Sequence, residues 1–142
     1  MTDDDNYDDT LWFRRLGIDR PTREMVLDKV NQVFPHSNLE DILSVLDLYG
    51  ADSYEIERER VQLDILKLSE GKEDKLLDNL EAAKRDLRDV IAWAEYPNFM
   101  RIGLVGVDNL DPEGVKDLKE RDIHQYLEWF QVDNTESGKT AC

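Results

Sequence analysis

Residues 37–50 read SNLEDILSVLDLYG, residues 51–71 ADSYEIERERVQLDILKLSEG, and residues 72–97 KEDKLLDNLEAAKRDLRDVIAWAEYP. Each segment carries apolar residues at helical spacing and closes on a glycine or a proline, Gly50, Gly71 and Pro97. Glycine supplies the left-handed residue that stops a helix, and proline cannot continue one. Two of the segments also open on capping chemistry. In Ser37-Asn38-Leu39-Glu40 the hydroxyl accepts a first-turn amide and the glutamate reaches back, and Asp52-Ser53-Tyr54-Glu55 repeats the pattern. Three consecutive helices are therefore expected, over about 38–49, 53–69 and 72–96.

The middle helix is unusual. At 100° per residue Tyr54, Val61, Ile65 and Leu68 share one face, while Ile56 and Leu63 fall on nearly the opposite one. A helix that is apolar on two sides lies between neighbours, so this one belongs at the centre, or its second face meets another subunit. The third helix has one clean stripe, Leu76, Leu80, Ala83, Leu87, Val90, Ile91 and Ala94, with Trp93 off it. Short links at Gly50–Asp52 and Glu70–Gly71 make consecutive helices antiparallel neighbours.

Outward from this block, Pro21 to Phe34 reads as a helix with proline in its first turn and Pro35 as its stop. Leu11, Trp12, Phe13, Leu16 and Ile18 form an apolar patch, either a segment docking on the core or an arm for a partner. Asn98 to Leu110 breaks the helical period with Gly103 and Gly106, and reads as an apolar connector. Asp111-Pro112-Glu113 starts a last helix in standard order, cap, proline, acid. The expectation is an all-α fold: a compact bundle of about five helices with a central antiparallel hairpin. A single domain spans 11–132, flanked by a disordered acidic stretch, 1–10, and a disordered polar tail, 133–142.

The 142 residues carry a net charge of −15. That disfavours nucleic acid and anionic membrane surfaces as partners and leaves basic partners open. No run of apolar residues is long enough for a membrane span. The single cysteine, Cys142, excludes an intrachain disulfide, and the aspartate-rich start is unlike a signal peptide, so a cytoplasmic setting is expected.

Catalytic signatures are thin. His36 and His124 lack further ligands at zinc spacing. Gly138-Lys139-Thr140 ends like a phosphate-binding loop, but Asp133 stands where that loop needs its first glycine. Glu55, Glu59, Asp86 and Asp89 are the weak candidates for a Mg²⁺ or Mn²⁺ site, as carboxylates on facing helices hold such ions in all-helical nucleotide pyrophosphohydrolases. The E-E-x-x-E pattern of those enzymes is missing, and a solvated, ion-paired face accounts for the same residues. No cofactor is expected.

The run ERERVQLDILKLSEG (57–71) with RDLRDVIAWAEYP (85–97) resembles small all-helical bacterial proteins to which no activity is attached. The resemblance covers about a third of the chain and implies an all-α fold and a bacterial cytoplasmic setting. It supplies no site residues. The leading functional expectation is a non-enzymatic protein-interaction module, homodimeric or with a foreign partner, using Ile56, Leu63 and Trp93 as its surface. The alternatives are the metal-dependent hydrolase and an acidic inhibitor or immunity-type protein that binds a basic partner.

Overall fold

The computed structural model describes residues 11–141, with residues 104, 105, 107 and 132–141 as backbone course alone. The expectation for 1–10 falls outside the described residues, as do Cys142 and the side chains of the 133–142 tail. The chain is all-helical, and no strand occurs among the described residues. A 3-10 segment, Trp12–Leu16, is followed by α1 (Arg23–Val33), α2 (Leu39–Leu46), α3 (Arg58–Ser69), α4 (Glu73–Arg85), α5 (Leu87–Glu95), α6 (Pro97–Asp108) and α7 (Pro112–Ala141). No helix among the described residues is long and apolar enough to cross a membrane. The sequence reading has one domain over 11–132. The chain groups into two compact units, Pro21–Ala94 and Met1–Arg20 with Glu95–Cys142.

In Pro21–Ala94, α1 begins after Thr22, whose hydroxyl accepts the Met25 amide at 3.3 Å. The cap of α2 is Asn38, one residue later than expected. Its Oδ1 accepts the amides of Glu40 at 2.8 Å and Asp41 at 3.3 Å, while Ser37 donates to Glu73. Asparagine and serine cap about equally well, so the tie is decided by which backbone is extended at the entry.

Two expectations are corrected here. The middle helix starts at Arg58, not near Ser53, because residues 47–57 form a turn that satisfies its own polar groups. The long helix 72–96 is two helices. Asp86 is extended (φ −161°), and its carboxylate accepts the Arg88 amide at 3.0 Å to open α5. An aspartate inside a helical pattern offers the backbone this competing bond. The apolar stripe survives the break: Leu76, Leu80, Ala83, Val90 and Ala94 are all buried.

The run Val61–Leu66 of α3 is buried without interruption, and α3 packs most extensively against α4 and next against α1. Leu63, at 0% exposure, is a core residue. Lys29 on α1 and Asp64 on α3 are buried too, and neither is free.

In the other unit, Trp12 stacks on Tyr126 of α7 with ring centroids 4.4 Å apart, and Phe13 meets Trp12 edge-on. The apolar patch 11–18 is thus a docking segment on α7, fastened by Arg15–Glu120. The third correction concerns Asn98 to Leu110, which is helical from Pro97 to Asp108 with a kink at Gly103 (φ 78°). Its first-turn amides find their acceptor in α7: Asn98 N donates to Asp122 Oδ1 at 2.8 Å and Phe99 N to Oδ2 at 3.3 Å. A buried carboxylate at a helix N-terminus satisfies orphan donors and complements the dipole.

Two substitutions test this packing by urea denaturation. Leu63→Ala is expected to destabilise by about 2–5 kcal/mol, as a buried leucine deletion does. Asp122→Ala is expected to cost about 1–2 kcal/mol, the worth of a lost helix cap.

Candidate functional site

The residues singled out in the sequence are scattered. Ile56 is 58% exposed in the turn before α3, Trp93 is 47% exposed on α5, and Leu63 is inside. Of the carboxylates, Glu55 is buried, Glu59 is half-buried in the first turn of α3, Asp86 sits between α4 and α5, and Asp89 is exposed on α5. No group of three or more His, Cys, Asp or Glu among the described residues is placed to hold a metal ion. Glu55 and Asp86 are also already committed, to Lys84 and to Arg88. The Mg²⁺ or Mn²⁺ set drawn from spacing is therefore not assembled by the fold.

What the fold does assemble is the turn 47–57, pinned from beneath by three polar groups. Asp47, just past the end of α2, takes both guanidinium nitrogens of Arg23, at 2.7 and 2.8 Å. Arg58 and the Gln62 amide add bonds of 3.2 Å each. The Arg23 fork, supported by Arg58 and Gln62, holds the Asp47 carboxyl below its ordinary range against the opposing effect of burial. Gln62 is wholly buried, and its Nε2 also donates to the carbonyls of Leu46 at 2.9 Å and Tyr49 at 3.2 Å. Those are carbonyls that the end of α2 would leave unsatisfied.

Glu55 is the second anchor. Its Oε1 accepts the backbone amides of Gly50 at 2.8 Å and Asp52 at 3.2 Å. Its Oε2 accepts Lys84 Nζ of α4 at 2.6 Å, and the same ammonium donates to Leu48 O at 2.9 Å. Burial pushes the Glu55 carboxyl up, but the Lys84 ammonium and the two amides outweigh it and hold the group below its usual range. The third anchor is Tyr49, fully buried, whose hydroxyl donates to Ile56 O at 2.7 Å. Burial, with Glu55 and Glu57 nearby, pushes its phenol up to about 12.

The bond from Asp52 N to Glu55 is the backward half of the capping box that the sequence announces. No helix follows, because Tyr49 holds the Ile56 carbonyl and Glu57 adopts a left-handed conformation (φ 57°) before α3 can begin. Gly50 (φ 105°) lets the chain pass beneath Arg58, whose Cγ would lie 2.6 Å from an added Cβ.

With its polar groups turned inward, this turn shows its apolar ones. Leu48 is 54% exposed and Tyr54 69%, beside Ile56. Asp52, Glu57 and Glu59 stand among them, and Asp52 accepts the Tyr54 hydroxyl at 3.2 Å. Glu55 is buried with both carboxylate oxygens engaged, Oε1 by two backbone amides and Oε2 by Lys84, so it serves as an anchor of the turn. Sequence reasoning found Ile56 and missed the turn. The only signal for it was a glutamate three residues after Asp52 and five after Gly50; Lys84 is too distant in sequence to foresee.

No protein family matches the chain, and neither a curated protein nor a solved structure is similar to it.

The depressed carboxyls of Asp47 and Glu55 fix the sign of the acid response. Their contribution to stability is fully present above the ordinary carboxylate range, about pH 4, and is lost as pH falls through the lower folded values. Urea unfolding between pH 7 and pH 3 is expected to show this loss. Glu55→Gln, which keeps an oxygen for the two amides but sets an NH2 against the Lys84 ammonium, is expected to cost about 1–3 kcal/mol at pH 7 and to flatten the acid limb. An acid limb as steep as that of the unaltered chain would remove Glu55 as the anchor.

Proposed function

We propose that this protein is a non-enzymatic protein-interaction module, and that the turn 47–57 engages a partner carrying basic residues around an apolar recess. The observation that carries the reading is the turn itself: Leu48, Tyr54 and Ile56 are exposed on a backbone whose polar groups are locked from below. A loop already held in one conformation forfeits little entropy on binding, and exposed aromatic and aliphatic anchors are the side chains that dominate interface energies. In this reading α3 and α4 form an antiparallel hairpin at the centre of the unit, and the turn is its leading edge.

Charge selects the partner. The chain carries −15, and Asp52, Glu57 and Glu59 surround the anchors, so a basic surface is attracted and a second copy of the chain is repelled. Nucleic acid and anionic membrane are disfavoured by the same field. The interaction module and the acidic inhibitor or immunity-type protein thus converge on one partner chemistry. A reducing cytoplasmic setting, and a bacterial one by the resemblance of 57–71 and 85–97, complete the proposal.

A photo-crosslinking residue at Leu48, used in cell extract, tests it. A crosslinked basic protein is expected, lost in 0.5 M salt on the order expected for charge-steered encounter. Tyr54→Ser/Ile56→Ser is expected to weaken the purified pair by tenfold or more, about 1.4 kcal/mol, while changing stability by less than about 0.5 kcal/mol. Equal crosslinking by that variant would overturn the assignment of the turn. Light scattering across a dilution series separates the other outcome, in which the adduct is a second copy.

A further inference from the structure

On the other side of α4 lies a second surface. At 100° per residue, Lys84 beneath the turn is about 180° from the row Lys75, Asp78, Asn79 and Ala82. That row forms one wall of an open groove of about 410 Å³, closed by Leu68 of α3 and by Asp89, Val90 and Trp93 of α5. The groove spans the break at Asp86, with lining residues from both α4 and α5. Trp93, which sits off the buried stripe, lines the opening with nearly half its surface in solvent.

The chemistry of the groove is specific. Its apolar part is Leu68, Ala82, Val90 and an indole ring. Its charges are Asp78 and Asp89, together with Lys75, whose ammonium is already held by Glu70 at 2.7 Å. Lys75 and Glu70 cancel, which leaves the two aspartates. A groove lined by an indole and two carboxylates favours an organic cation, because a ring face attracts positive charge and a carboxylate accepts N–H groups. A planar guanidinium satisfies both at once. The alternative occupants from this chain itself carry the wrong sign: residues 1–10 hold five aspartates, and a second copy brings another −15.

We propose that the groove formed by Leu68, Ala82, Val90 and Trp93 with Asp78 and Asp89 is a docking site for an arginine side chain of a basic protein segment. It is a site distinct from the turn 47–57 and stands whether or not that turn binds a partner.

The probe is a hexa-arginine amide, with hexa-glutamate as its opposite, titrated into the full chain and followed by ¹H–¹⁵N spectra. The indole N–H signal of Trp93 is identified by its loss in Trp93→Phe. A saturable shift of that signal is expected with hexa-arginine alone. Asp78→Asn/Asp89→Asn is expected to weaken binding about three- to tenfold, and Trp93→Ala about two- to fivefold. Glu40→Gln/Asp41→Asn, which removes equal charge from α2 outside the groove, is expected to leave affinity nearly unchanged. Tyr54→Ser/Ile56→Ser is expected to keep the full Trp93 shift. An unmoved Trp93 signal at saturating peptide, or equal weakening by the two charge-removing pairs, would overturn the site and leave only diffuse attraction to an acidic chain.

Discussion

A helix buried on every side has to be wrapped, and α3 is such a helix. Six consecutive residues, Val61 to Leu66, are out of solvent, and two of them are polar, Gln62 and Asp64. Apolar burial on both faces requires neighbours on both, and α4 and α1 supply them. Polar burial requires partners, and Gln62 finds them in the carbonyls at the end of α2. The two demands together fix where α2 must end and where the chain must turn before α3 begins.

The turn 47–57 is the consequence. Three of its polar groups are engaged inward, Asp47 with Arg23, Glu55 with Lys84, and the Tyr49 hydroxyl with the Ile56 carbonyl. Several charges thereby sit in one small volume with opposite signs adjacent, which is the condition under which partly buried charge is tolerated. What remains outside is apolar and acidic. Anchoring and display therefore go together: Asp47, Tyr49 and Glu55 hold the turn from within, and Leu48, Tyr54 and Ile56 are left outside.

The unit of Met1–Arg20 with Glu95–Cys142 solves a different problem by the same means. Its short helix α6 is kinked at Gly103 and begins at a proline, and alone it would be marginal. Asp122, buried on α7, accepts the amides of Asn98 and Phe99 and makes the start of α6 part of its neighbour. Trp12 then closes the aromatic cluster over Tyr126 and Phe130.

The sequence by itself determined the helical class, the stops at Gly71 and Pro97, the buried stripe of α4 and α5, and the two-sided character of α3. All of these follow from period, proline and glycine, which act within a few residues. Spacing also picked out Ile56 and Trp93 as apolar residues off the main stripes. Tertiary structure decided the rest. Leu63 belongs to the core because α3 is covered on both faces. Glu55 became an anchor because Lys84, 29 residues on, reaches it. The helix over 97–108 formed because an aspartate 24 residues away caps it. The break at Asp86 is local, but whether an aspartate caps a new helix or rides on an old one is settled by what each half packs against. Hydrogen bonds and ion pairs between residues far apart in sequence leave no period behind them, so only the folded chain displays them.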